Sequence, residues 1–229
     1  MHIRVRHGRW SRGDENVITG AGLVACAVAG ALLGCGAHAV TRRLLMRPDS
    51  APWANRVMAA LTTAIVIVVL GWRVGLRWEL VPYGLLVVSG VPLAIVDIAE
   101  RRLPQVAVLP LYPALLASLS GISALRHDAS PLVRAIEAMV ALGGVHLVLA
   151  LAVPGGMGAG DVKLAGAVGL ATGWSGWGTT FTTLVWAFLI LTAVMLGARL
   201  RRPSEPLGTF AYGPCLLAGA VAAIALGGG

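Results

Sequence analysis

Eight long apolar segments constrain the fold of this chain more than any other feature. No water reaches the hydrocarbon core of a bilayer, so a spanning segment must satisfy its own backbone hydrogen bonds as a helix or within a closed barrel. About 20 apolar residues are enough for a helical crossing. The sequence therefore predicts an all-α, polytopic integral membrane bundle of about eight transmembrane helices and no sheet. The predicted spans are Val17–Val40, Asn55–Trp72, Leu80–Ile98, Gln105–Gly121, Leu132–Val153, Val162–Gly173, Gly178–Ala198 and Thr209–Leu226. The sixth is short, and the prediction leaves open its extension through the glycine-rich loop or to Trp177.

Composition supports a membrane protein and argues against a nucleic-acid partner. Only 12% of the residues are charged, about half the proportion of a soluble domain. The net charge of +8 comes from arginines near the ends of the apolar segments, where they set topology and meet anionic lipid headgroups. None of the three cysteines forms a Cys-x-x-Cys pair, so the pattern indicates neither a zinc site nor a redox motif.

The spans divide the chain into three parts. Residues 1–16 form a polar, basic N-terminal tail, residues 17–79 two spans joined by a short cytoplasmic loop, and residues 80–229 a six-span core. Placing the Asp97 end of the third span in the cytoplasm puts ten basic residues on that side, against four in the outer loops and four in the tail. The ten are Arg42, Arg43, Arg47, Arg56, Arg101, Arg102, Lys163, Arg199, Arg201 and Arg202.

Two aspartates end up on one face of the predicted bundle. Asp97 closes the third span, and Asp161 follows a glycine-rich stretch that begins at Gly155. Taken singly, Asp97 is also explained as an interfacial anchor paired with Arg101 or Arg102, and Asp161 as a helix N-cap. Together they favour a shared site. When two carboxyl groups are neighbours, one keeps its proton while the other acts as a base.

Such a pair has the chemistry of a protease. One carboxylate activates water against a peptide bond and the other acid protonates the departing amine. Gly158 and Gly160 would admit an extended substrate backbone next to the acids. The rival interpretation is a small transporter or membrane scaffold that uses the acids for ion or proton coupling, although transport sites gather near the bilayer midplane.

Three motifs resemble the type IV prepilin peptidases, membrane-embedded aspartyl proteases with a Gly-x-Gly-Asp motif. Gly158-Ala159-Gly160-Asp161-Val162-Lys163-Leu164 is similar to the second-aspartate motif of that family, and Asp97-Ile98-Ala99-Glu100-Arg101-Arg102-Leu103-Pro104 to the first. Tyr212-Gly213-Pro214 is similar to the start of its final helix. The resemblance covers roughly residues 80–229. It implies that Asp97 and Asp161 are catalytic, face the cytoplasm of a bacterial plasma membrane, and cleave leaders from prepilin-like proteins without a cofactor or metal.

Two departures from the family pattern bear on activity. Gln105 stands where the family usually has Asn. Many members carry a cysteine-containing domain between their first two spans, associated with N-methylation, whereas here that interval is about Thr41–Ala54 without cysteine. The sequence therefore predicts a peptidase that lacks methyltransferase activity. Lys163, in the loop motif, is interpreted as a headgroup anchor, and His146 as a buried group bonded to a neighbouring helix, with a proton relay as the alternative.

Overall fold

A computed structural model describes residues 20–47, 51, 53–152, 157–201 and 210–227. Within these ranges the chain forms nine α-helices and no strand, which confirms the all-α prediction. The helices are α1 (Gly20–Leu44), α2 (Arg56–Val74), α3 (Leu80–Glu100), α4 (Gln105–Val108), α5 (Leu111–Arg126), α6 (Ser130–Ala152), α7 (Ala159–Ser175), α8 (Trp177–Arg201) and α9 (Gly213–Leu226). The predicted basic tail and the glycines at 155 and 156 lie outside the described residues.

In the part of the chain that the structure describes, six helical segments are long and apolar enough to cross a membrane. They are α1, α2, α3, the pair α4–α5 taken together, α6 and α8. The other two predicted spans correspond to α7, with 17 residues, and α9, with 14. Many large apolar side chains on the long helices are exposed, as helices surrounded by lipid require. The protein is therefore a multi-pass membrane protein.

The fourth predicted span, Gln105–Gly121, differs from the structure at its start. It begins as the single turn α4, breaks around Leu109, and resumes as α5 at Leu111. Pro110 lies at the break and has no backbone N–H to donate into the preceding turn, so it ends α4. The helix then continues to Arg126, beyond the predicted end.

Glycines allow two helix pairs to approach closely. An ideal Cβ built on Gly30 or Gly34 of α1 would lie 2.6 Å from a Cα atom of α2. A Cβ built on Gly173 of α7 would lie 2.9 Å from the Cα of Ala135 in α6. A Cβ built on Gly169 would lie even closer to the carbonyl oxygen of Ala138. Small residues let membrane helices pack closely, and Gly169 and Gly173 do so between α7 and α6.

Helices α3 and α7 lie at the centre of the bundle. Helix α7 is buried without interruption from Leu164 to Trp174, and α3 contacts α1, α2, α5 and α9. At the far end of α7, Arg134 of α6 donates to the carbonyls of Gly173 and Trp174 at 2.9 and 2.7 Å. The opposite end of α7, which begins at Ala159, lies against Leu103, three residues beyond the end of α3.

Candidate active site

Asp97 lies in the last turn of α3 and is buried, with 4% of its surface exposed. Its backbone carbonyl accepts from the N–H of Arg101, which ends the helix in the left-handed conformation. Its carboxylate Oδ2 accepts a hydrogen bond of 3.0 Å from the backbone N–H of Gly213. An ideal Cβ on Gly213 would lie 2.9 Å from that oxygen, so the start of α9 lies directly against the Asp97 carboxylate.

The segment after Asp97 is attached to the end of α1. Glu100 Oε1 accepts from the backbone N–H groups of Met46 and Arg47 at 2.8 and 3.0 Å. Its Oε2 binds Arg102 at 2.6 Å, and Arg102 also donates to the carbonyl of Leu44 at 2.8 Å. The hydrogen bonds of Arg102 thus go to Glu100 and to the end of α1. This disfavours the interpretation of Asp97 as the ion-pair partner of Arg102.

Asp161 lies in the first turn of α7, and the alternative interpretation of this residue as the N-cap is wrong. Gly158 is the N-cap, Asp161 is the third helical residue, and its Oδ2 accepts from the Gly158 N–H at 3.0 Å. The extension through the glycine-rich loop that the sequence left open is present, since Ala159 and Gly160 are helical. The second carboxylate oxygen, Oδ1, is buried and has no hydrogen-bond partner among the described residues. Capping of the helix therefore accounts for Oδ2 of Asp161 and leaves Oδ1 unexplained.

Leu103 joins the two halves of the site. An ideal Cβ on Gly160 would lie 2.6 Å from the Leu103 Cβ and 2.8 Å from its carbonyl oxygen, and one on Gly213 would lie 3.2 Å from Leu103 Cδ1. The segment after Asp97 thus touches both the turn that carries Asp161 and the start of α9.

The space above Gly160 is filled by the protein itself. The sequence suggested that this glycine admits a substrate backbone, but Leu103 occupies the position of the absent side chain. Gly160 instead allows the segments that carry the two aspartates to meet. Among the described residues, an ideal Cβ on Gly158 would meet Asp161 Oδ2 at 3.3 Å and the Gly160 nitrogen at 3.9 Å, so Gly158 is less crowded by them than Gly160.

Lys163 points to a neighbouring segment. Its ammonium group donates to the side-chain oxygen of Gln105 at 2.6 Å, and its backbone carbonyl accepts from the Tyr112 hydroxyl at 2.6 Å. This contact brings the residue that follows Leu103-Pro104 against the first turn of α7. Lys163 is therefore part of the junction, and a headgroup contact is not its sole role.

Sequence reasoning underrated Leu103 and Tyr212. Both belong to the motifs quoted above, but neither was singled out as a site residue. Tyr212 is buried and immediately precedes Gly213, whose backbone N–H donates to Asp97. The signal that could have identified it was its position directly before the Gly-Pro pair at the start of a span. No group of three or more His, Cys, Asp or Glu that could hold a metal ion occurs within the described ranges.

Comparison with known families decides the class of protein. The model of the type IV leader peptidase family matches residues 84–198, which is about half of the chain and includes both aspartates. The chain belongs to the type IV leader peptidase family. The match runs from α3 into α8, so Tyr212 and α9 lie beyond it. No curated protein and no solved structure matches the chain. This leader-peptidase family member is thus a protease of the membrane.

Proposed function

We propose that this leader peptidase is an aspartic endopeptidase that removes the leader from prepilin-like membrane proteins, with Asp97 and Asp161 as its catalytic pair. The observation that carries the proposal is the junction at Leu103, which joins the segments bearing the two carboxylates. Two carboxyl groups on segments that touch each other do not readily ionise together, so one proton shared by the pair is the expected state. The ionised partner then takes a proton from water, and the protonated one donates to the departing amine.

The location of the acids fits a substrate cut beside its apolar helix. Asp97 is three residues from the end of the 21-residue α3, and Asp161 is in the first turn of α7. A leader that emerges from a membrane helix presents its scissile bond at this level. The transporter or scaffold alternative expects acids near the midplane. We place the site on the cytoplasmic face of a bacterial plasma membrane, in line with the excess of basic residues on that side outside the tail.

The proposed division of the chain follows from the same contacts. Residues 80–229 would form the peptidase core, because α3, α7 and α9 supply the groups around both acids. Residues 17–79 would support it through α1, whose end is held by Glu100 and Arg102. The short interval between α1 and α2 contains no cysteine, and we propose cleavage without N-methylation.

The test is co-expression with prepilin-like proteins encoded in the same genome, scored by a shift in gel mobility. Asp97→Asn and Asp161→Asn should each abolish the shift while protein level and membrane insertion stay unchanged, since the amide cannot exchange the proton. The double variant should be little worse than either single one, because the two act as a unit. Cleavage at near wild-type rate by either Asn variant would refute the aspartyl mechanism. Cleavage products should also lack an added N-methyl mass.

A further inference from the structure

A buried hydrogen-bonded pair adjoins the candidate site and has no part in the water attack proposed above. His146, in α6, is fully buried, and its Nε2 lies 2.8 Å from the hydroxyl oxygen of Tyr212. The two rings are tilted against each other with centroids 5.4 Å apart. A buried histidine and tyrosine in an apolar bundle require partners for their polar atoms, and here they are partners of each other.

The second hydrogen bond of the imidazole fixes the direction of the first. His146 Nδ1 lies 2.7 Å from the carbonyl oxygen of Leu142, one turn earlier in α6. A carbonyl oxygen only accepts, so Nδ1 carries a hydrogen, and in the neutral ring Nε2 is then an acceptor. The Tyr212 hydroxyl therefore donates to His146. This direction holds the tyrosine in one orientation.

Tyr212 in turn is connected to both catalytic acids through its neighbours. The next residue, Gly213, donates its backbone N–H to Asp97. Leu103 lies against both Gly213 and Gly160, and Gly160 immediately precedes Asp161. Movement of Tyr212 would therefore displace the donor that holds Asp97 and change the surroundings of Asp161.

His146 also lies at the height of the Asp161 turn. An ideal Cβ on Gly143 would lie 3.5 Å from the Cα of Gly166 and 3.9 Å from the carbonyl oxygen of Val162. His146 is nearly one helical turn beyond Gly143, and α7 runs antiparallel to α6. The imidazole is consequently level with the start of α7, and its bond to Tyr212 connects the α6–α7 pair to the start of α9.

The hydrogen bonds of His146 do not suit a proton relay. A proton that entered at Nε2 would have to leave through Nδ1, but Nδ1 faces a backbone carbonyl, which does not take up a proton at neutral pH. The relay alternative considered for His146 is thus disfavoured by its own hydrogen bond. Its other predicted role, a hydrogen bond to a neighbouring segment, is confirmed.

Resting on the proposed function, we infer that the His146–Tyr212 hydrogen bond is a positioning device that sets the separation of Asp97 and Asp161. The two residues touch neither water nor substrate in the reaction. They hold the start of α9, and with it the Gly213 N–H, at a fixed distance from the first turn of α7. Catalysis by a carboxyl pair depends on that distance, since a misplacement of about 1 Å costs on the order of a hundredfold in rate.

The experiment measures kcat and KM for leader cleavage by purified full-length protein in detergent or nanodiscs. Tyr212→Phe keeps the ring and removes only the hydroxyl, and His146→Leu removes the acceptor. Each should lower kcat by about tenfold or more with KM nearly unchanged, and the double variant should resemble the single ones because both remove the same bond. His146→Gln, whose amide oxygen can replace the Nε2 acceptor, should recover part of the rate.

A matched control separates positioning from general destabilisation. Thr172→Val removes another buried hydroxyl, which is bonded to the Val168 carbonyl at 3.0 Å and lies far along α7 from the site. It should lower the melting temperature and leave kcat unchanged. A wild-type kcat for Tyr212→Phe, or losses that multiply in the double variant, would overturn the inference while leaving the proposed function intact. A wild-type protein that cleaves no prepilin-like substrate would overturn both.

Discussion

Alanine at Gly160 should damage the enzyme far more than its size suggests. The new Cβ would lie 2.6 Å from the Leu103 Cβ and 2.8 Å from its carbonyl oxygen. Carbon atoms in contact prefer about 3.5–4.0 Å, so the segments carrying Asp97 and Asp161 must separate by about 1 Å. Overpacking of this kind typically costs about 1–3 kcal/mol, and the better helix propensity of alanine returns up to about 1 kcal/mol.

The expected signature of Gly160→Ala is therefore a small loss of stability with a large loss of activity. A shift of about 1 Å between paired catalytic groups lowers the rate on the order of a hundredfold. The assay is initial-rate leader cleavage together with a thermal melt of the purified protein. Leu103→Gly in the same chain should restore only part of the rate, because the Leu103 carbonyl oxygen remains 2.8 Å away.

Alanine substitutions at two other glycines test whether the loss of activity follows the space available for the new Cβ. At Gly158 the nearest atom to an ideal Cβ, Asp161 Oδ2, is 3.3 Å away, and at Gly144 nothing lies within 4 Å. Gly158→Ala should thus cause an intermediate loss, and Gly144→Ala none. If Gly160→Ala cleaves at the wild-type rate while folding normally, or if the three variants rank in another order, the contact between the two aspartate segments is not what limits the site.

Three further predictions follow from the same geometry. Gly213→Ala should reduce cleavage by more than tenfold, since its Cβ would lie 2.9 Å from Asp97 Oδ2 and a misplaced catalytic group loses rate steeply; unchanged initial rates would contradict this. Lys163→Ala should keep substantial activity but lower the melting temperature, because it loses the 2.6 Å bond to Gln105; a complete loss of cleavage with an unchanged melt would show a catalytic role instead. EDTA should leave the cleavage rate unchanged, as carboxyl-pair chemistry uses no metal; inactivation that added Mg²⁺ or Zn²⁺ reverses would refute the mechanism.

The elements of the fold were predictable because each apolar segment carries its own signal. Span length and hydropathy identified α1 to α3, α6 and α8 to within a few residues at every boundary that the structure describes. Pro110 also encodes the break between α4 and α5. The break was not predicted, because the whole segment is apolar and long enough to span a membrane, and hydropathy does not report a local break. The start of α7 was left open between Val162 and the glycine-rich loop because glycine is a poor helix former. In the structure Gly160 lies inside the helix and packs against Leu103.

The site was predictable only in part. The location of both acids on one face follows from the number of membrane spans between them. The motifs around each acid are short sequence stretches that can be recognised directly. The contacts that join them are not, because Leu103 meets Gly160, and Asp97 meets Gly213, across long stretches of chain. Nothing in a single sequence pairs His146 with Tyr212, which are 66 residues apart. Only the packing of α6, α7 and α9 brings these groups together.

The shortness of α7 and α9 has a consequence for the surrounding lipid. At 1.5 Å per residue they are about 25 and 21 Å long, against a hydrocarbon core of about 30 Å. Arg134 and Arg73 hold the far ends of the two helices, so the shortfall falls at the end that carries the site. Local thinning of the bilayer is one way in which a membrane accommodates such short helices, and we expect it to bring water closer to the two carboxyl groups. The rate of cleavage should accordingly fall as the acyl chains of the host membrane lengthen.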